Sequence, residues 1–264
     1  ATPATPATPA TPATPATPAT PAAAPAAAAL GSLARYLAAV GSDEPSVMRS
    51  LRAAGEEGGK APAAPLRGRL LQMLTRVARA ERVLQLCGPR CGYEALWLAS
   101  GLQPRAGRRT ALVALGCSAA TAEAVRSQLL AVGRSAGWAA GEEVTLEAHQ
   151  APWGVEAADA PAALFDLVVC TDPTQLPGYV TPSDAAGVEP AALLAVSLEG
   201  LTSSLRRHGL LLIAQPPHHV GTPQDAALHT ALREAPRLRA VALPAPDGDG
   251  GLVTLVHAVD QGEG

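Results

Sequence analysis

Two stretches of this chain carry residue types suited to chemistry. In the first, Gly88-Pro-Arg-Cys-Gly92 follows five residues of strand character, Val83 to Cys87, and precedes the apolar run Tyr93–Leu102. A glycine turn between strand and helix lets a ligand reach the backbone and the helix N-terminus, and Arg90 in that turn suits an anionic group. The same spacing also makes a tight turn that binds nothing, with Arg90 solvated. In the second, His218-His219 follows a short apolar strand. A neutral imidazole there could take a proton near pH 7; the plain alternative is a pair of exposed loop histidines. Asp172, Glu94 and His149 are further acid–base groups near strand ends.

Elements of alternating type must position these groups. Strands are expected at Val83–Cys87, Thr110–Leu115, Val144–Ala148, Phe165–Cys170, Leu210–Ala214, Leu238–Leu243 and Leu252–Ala258. Helices are expected at Tyr93–Leu102, Ala119–Val132, Pro190–Arg206 and Gln224–Arg233, with a short one in the Pro/Ala-rich loop after the third strand. Continuous apolar strands alternating with helices imply a parallel sheet covered on both faces. The final two strands, without a helix between them, imply an antiparallel edge. Three helices precede the sheet: Leu30–Val40, then Val47–Ala54 capped by Asp43-Glu-Pro-Ser, then Pro65–Ala78 with Leu66, Leu70, Met73, Leu74 and Val77 on one face.

Composition sets bounds. The 264 residues are 48% hydrophobic but only 3% aromatic, so a sizeable core must be aliphatic. A net charge of −3 argues against nucleic acid as a partner. Cys87, Cys91, Cys117 and Cys170 do not match a zinc spacing and read as reduced core thiols. Residues 1–29 begin with seven Ala-Thr-Pro repeats and read as a disordered or extended tail. Residues 30–80 supply N-terminal helices, and residues 81–264 the sheet domain. Neither a membrane span nor a signal peptide is visible, so the default location is cytoplasmic or otherwise soluble intracellular.

The order of elements and several motifs resemble the class I S-adenosylmethionine-dependent methyltransferases, specifically the catechol O-methyltransferase type. The resemblance runs from about Ser32 to Ala258. It rests on Cys91-Gly92-Tyr93 with Ala95, Leu102-Gln103-Pro104, Phe165-Asp166-Leu167-Val168, Gly209–Ala214, Gly221-Thr222-Pro223 and Gly248–Leu252. It implies a Rossmann-like α/β fold, a seven-stranded mostly parallel sheet with an antiparallel C-terminal hairpin and helices on both faces, and a ligand above the strand C-termini. Asp166, at the start of the fourth strand, then lies away from the ligand and reads as structural.

Transferred residue by residue, the functional positions of that family depart from its pattern. The acid near the cofactor's methionine end aligns with Leu86, and the ribose-binding acid with Gly116. The adenine-side segment aligns with His149-Gln150-Ala151 and lacks its acid. The three Mg²⁺ ligands align with Thr171, Gln215 and Pro216, and the lysine base with Thr174. A hard divalent cation prefers carboxylates, so no metal ligand is assigned and Mg²⁺ is not expected. Each lost charged hydrogen bond is about 1.5–3 kcal/mol, or roughly ten- to a hundredfold in affinity, so S-adenosylmethionine binding is expected to be weakened. Gly88, Arg90, Gly92, Tyr93, Glu94, Cys117 and Gln150 stand as cofactor-side candidates, and His218, His219 and Asp172 as catalytic ones. Three readings remain open. One is a catalytically degenerate module binding a small molecule or a protein partner. The others are a metal-independent O-methyltransferase, and a different ligand in the same crevice.

Overall fold

The computed structural model describes residues 44–57, 65–87, 91–104, 108–138, 144–149, 164–176, 179, 190–235, 238–245 and 251–258. The expected helix at Leu30–Val40, the Asp43 cap, the repeat tail and the short helix after the third strand lie outside them. The elements in order are α1 (Ser46–Glu57), α2 (Pro65–Val77), β1 (Arg82–Leu86), α3 (Cys91–Gly101), β2 (Thr110–Leu115), α4 (Ala119–Ala136) and β3 (Val144–His149). Then come β4 (Phe165–Cys170), α5 (Pro190–Ser203), β5 (Leu205–Gln215), α6 (Pro223–Glu234), β6 (Leu238–Pro244) and β7 (Leu252–Ala258). Single 3₁₀ turns at Pro173–Gln175 and Pro217–His219 follow β4 and β5.

The strands form one seven-stranded sheet in the order β3-β2-β1-β4-β5-β7-β6. β1 to β5 pair in parallel, and β7 lies antiparallel to both β5 and β6. Alternation along each strand sorts side chains into two cores. Val83, Leu112, Leu167, Val169 and Leu212 pack with α2, α3 and α4 on one face. Leu84, Leu86, Val168, Leu211 and Ile213 pack with α5 and α6 on the other. Among the described residues, no helix is long and apolar enough to cross a membrane.

Three local expectations are corrected. α2 buries Arg67, Gly68, Leu71, Gln72, Leu74 and Thr75, whereas Met73 and Val77 are 54% and 71% exposed. The face has rotated because small residues, not large ones, set the approach to α3. A Cβ on Gly68 would overlap the Trp97 indole, and one on Gly101 would come within 2.6 Å of the Gln72 carbonyl oxygen. Gln72 then donates to Ser100 Oγ at 2.9 Å inside the interface.

Helix α5 stops at Ser203 rather than Arg206, because Ser203 and Ser204 hydroxyls bond back to the carbonyls of Gly200 and Leu201. Phe165 N donates to Ser204 O at 2.7 Å, so strand pairing begins at once. β5 therefore starts at Leu205, with an irregularity opposite Phe165–Leu167 where His208 adopts φ 65°. Polar Arg206-Arg207-His208 hid this segment from a reading based on apolar runs. Finally, Cys87 and Cys91 are joined as a disulfide with Cα atoms 4.9 Å apart, not held as two reduced thiols. The end of β1 and the first residue of α3 lie side by side, a proximity that spacing alone did not reveal. Cys117 and Cys170 are free and buried, as expected.

Candidate active-site crevice

The C-terminal ends of β1, β2, β4 and β5 and the N-termini of α3 and α4 gather at one edge of the sheet, around the β1–β4 pair where the chain's crossovers diverge. Such a divergence is where open α/β sheets bind ligands. Backbone bonds continue past the strands: Cys87 N donates to Leu115 O at 2.8 Å and Cys117 N to His149 O at 3.0 Å. These bonds carry the strand pairing into the crevice floor.

Glu94, in the first turn of α3, is 2% exposed. Thr171, just after β4, donates its hydroxyl to Glu94 Oε2 at 2.5 Å. A carboxylate in the first helical turn also meets the positive end of the helix. Gln85 Nε2 donates to the Cys91 carbonyl at 3.2 Å from the end of β1. At the end of β5, Gln215 Nε2 donates to Asp225 Oδ1 at 2.7 Å, and Gly221 N donates to Asp225 Oδ2 at 2.7 Å. His229 Nε2 lies 3.0 Å from the same Asp225. Gln215 thus ties β5 to α6.

Gly116 closes β2 with φ 73°, a left-handed conformation that strains most side chains. A Cβ built there would lie 3.5 Å from Gln175 Oε1 and 3.7 Å from the Cys87 carbonyl oxygen. The Gln175 amide, carried by the 3₁₀ turn after β4, therefore reaches across the crevice toward β2. Asp172 caps that turn, accepting from Thr174 N at 3.0 Å and Thr174 Oγ1 at 2.7 Å.

A second cluster lies beyond β4 and β5. His219 stacks on Tyr179 with ring centroids 5.5 Å apart, and its Nδ1 lies 3.3 Å from the Tyr179 hydroxyl. His218 meets His219 edge-on at 4.4 Å. Burial, then the neighbouring His218, lowers the basicity of His219 against an opposing pull from Asp172, so its imidazole is neutral at pH 7. Burial raises the Tyr179 phenol above its ordinary value.

No protein-family model matches the chain, and no curated protein does. Solved structures do. A Klebsiella pneumoniae protein provisionally named an O-methyltransferase matches with a TM-score of 0.62 at 20% identity, over 87% of this chain and 97% of its own. The O-methyltransferase TomG from Streptomyces achromogenes, solved in complex with SAM, gives 0.59 at 19%, over 87% and 96%. An O-methyltransferase from Bacillus cereus, solved with SAH, gives 0.59 at 16%, over 88% and 99%. The chain has the class I O-methyltransferase fold.

Within that methyltransferase fold, the residues nominated by sequence fall into different places. Glu94, Cys117, Asp172, His218 and His219 all stand at the strand C-terminal edge. The Tyr93 hydroxyl donates to Glu44 Oε1 at 2.7 Å, and Glu44 also accepts from Arg52 Nη2 at 3.0 Å. Burial and then Glu44 push the Tyr93 phenol well above its usual range. Gly92 faces α4, where a Cβ would lie 3.3 Å from Thr121 Cγ2. It serves close helix packing, as the final glycine of such turns does. Gly88, Arg90 and Gln150 lie outside the described residues.

The metal positions implied by the resemblance do not fit a divalent cation. Thr171 offers only a neutral hydroxyl, which donates to Glu94, Gln215 only a neutral amide, whose Nε2 donates to Asp225, and Pro216 no side-chain oxygen. Mg²⁺ demands octahedral oxygen ligands with carboxylates among them. Two features went unread in the sequence. Tyr179 lies in a stretch whose sequence shows no apolar periodicity. Gln175 sits one turn beyond a strand, where only the 3₁₀ geometry brings it back over β1.

Proposed function

We propose that this protein is a catalytically degenerate member of the methyltransferase fold, a binding or structural module without metal-dependent O-methyl transfer. The observation that carries the reading is the Thr171–Glu94 hydrogen bond at 2.5 Å. It joins the position of an expected metal ligand to the first turn of α3, and closes both into the protein's own bonding. At a second of the metal positions Gln215 presents a neutral amide, whose Nε2 donates to Asp225. Losing a metal and a base together removes the means of generating an oxyanion nucleophile. Glu94 is a buried carboxyl group near the expected methionine end of S-adenosylmethionine. It would suit the cofactor's ammonium group, and Cys117 stands beside the ribose position. Cofactor binding is accordingly weakened rather than abolished.

Isothermal titration with S-adenosylmethionine and its demethylated product, with and without Mg²⁺, tests this. Weak or absent binding, unchanged by Mg²⁺, and no methylation of catechols support the reading. Methyl transfer at an ordinary enzymatic rate overturns it.

One cluster favours a second reading, a metal-independent O-methyltransferase acting on a small phenol or alcohol. The neutral His219 imidazole, stacked on Tyr179, is a competent proton acceptor at the expected substrate end of the crevice. If a methyl-acceptor screen finds turnover, replacing His218 and His219 by Ala must abolish it; unchanged activity removes this version.

A further inference from the structure

The Cys87, Cys91 and Cys117 sulfurs all lie within 4.8 Å of one another and all three residues are buried. They come from three elements: the end of β1, the first residue of α3, and the link between β2 and α4. We propose that, once the Cys87–Cys91 disulfide is reduced, these three thiols form a binding site for a single soft metal ion, with Cu(I) as the fitting class. This goes beyond the methyltransferase reading and does not depend on it.

Sulfurs about 2.3 Å from a central ion in a trigonal plane sit about 4.0 Å apart. Breaking the Cys87–Cys91 bond lets those two sulfurs part to that separation, and Cys117 Sγ already lies within 4.8 Å of both. The backbones are already fixed, since Cys87 N and Cys117 N are both held by the strand-end bonds to Leu115 and His149. Cys91 begins α3, and Cys117 precedes the N-cap Ser118 of α4. Two helix N-termini therefore point at the sulfurs and favour the negative charge of bound thiolates. An all-sulfur set selects soft ions, and three sulfurs without a fourth ligand suit Cu(I) better than tetrahedral Zn²⁺. Gly116 sits 4.0 Å or less from Cys87 at the position a Cβ would take, so the ion would lie at the mouth of the crevice.

The chemistry balances in two steps. A phosphine reductant takes up the oxygen of one water to become the phosphine oxide. Its two electrons break the S–S bond, and the two water protons give two thiols. Cu(I) then binds three sulfurs and releases three protons.

The test uses the full chain, reduced with a water-soluble phosphine and handled without oxygen, against the Cu(I) complex of the chromophoric chelator bicinchoninate. We expect one Cu(I) per chain to be withdrawn by reduced protein and none by oxidised protein. Cys117→Ser should lose at least tenfold in affinity, and Cys170→Ala should not change it. Near-ultraviolet circular dichroism checks that the variants are folded. A second readout needs no variant: alkylation mapped by mass spectrometry should show Cu(I) protecting Cys87, Cys91 and Cys117 together. Failure to compete with the chelator overturns the site, as does labelling of Cys117 that Cu(I) leaves unchanged.

Discussion

Thr171 and Glu94, 77 residues apart in sequence, share a hydrogen bond of 2.5 Å between hydroxyl and buried carboxylate. It bridges the end of β4 and the start of α3, the two elements that frame the crevice. Replacing Thr171 by Val keeps the shape and removes the donor. Hydrogen bonds to buried charges are each about 1.5–3 kcal/mol, so T171V should lower unfolding free energy by about that amount. Urea denaturation with an unchanged m-value checks it; a stability within 0.5 kcal/mol of the parent, taken as roughly the neutral range for surface changes, would refute it.

Tyr93→Phe addresses a residue that the glycine motif had nominated for the cofactor. Its hydroxyl donates to Glu44 Oε1 at 2.7 Å, so the variant should lose about 1–2 kcal/mol with no change in any ligand affinity measured by titration. The pH dependence has a definite sign. The phenol's pKa is raised in the folded chain, by burial first. Its contribution is complete below about pH 10, where an unfolded tyrosine ionises, and is lost as pH climbs beyond that. Alkaline unfolding of Y93F should therefore be shallower than that of the parent.

Asp166 anchors the opposite end of the sheet. Its Oδ2 accepts from Glu81 N at 2.8 Å and Arg82 N at 2.9 Å, and its Oδ1 from Arg206 Nη1 at 2.9 Å. Asp166→Ala strands two backbone donors at the start of β1, and a loss of about 2–3 kcal/mol is expected. Asp166→Asn, which keeps an acceptor oxygen, should lose less. Equal losses in the two variants would contradict this account.

His219 has a depressed pKa in the folded state. Between that value and the unfolded value of about 6.5, the unfolded chain binds more protons, so stability falls as the pH drops below 6.5. Above it the group contributes nothing. His219→Gln should flatten the acid side of a stability-against-pH curve and leave it unchanged above pH 7; an identical acid limb in both proteins would count against the cluster.

The strands were legible because their apolar runs are continuous, and the two cores follow directly from the alternation of Val83, Leu84 and Leu86 along β1. Asp166 was read as structural, and its three partners bear that out. The crevice was legible only in part. Glu94, Asp172 and the histidines were found by residue type, but their partners are set by tertiary geometry. Thr171 meets Glu94 through adjacent strands, and Tyr179 reaches His219 from a stretch whose sequence carries no periodicity. The disulfide was missed because a separation of four says nothing about how tightly a turn closes. Met73 and Val77 were misassigned because helical periodicity favours large side chains, whereas Gly68 and Gly101 set the contact between α2 and α3.

β7 is made after β6 yet lies inside it, paired with β5 on one side and β6 on the other. During synthesis, the flank of β5 from Leu210 to Gln215 therefore stays open until residue 258 has left the ribosome. β6 meanwhile has no neighbour to pair with. Nascent chains stalled before β7 would present an apolar, unpaired strand in mid-sheet, a template for joining another chain edge to edge. β7 is thus a keystone, and termination before it should yield aggregates rather than a smaller soluble domain.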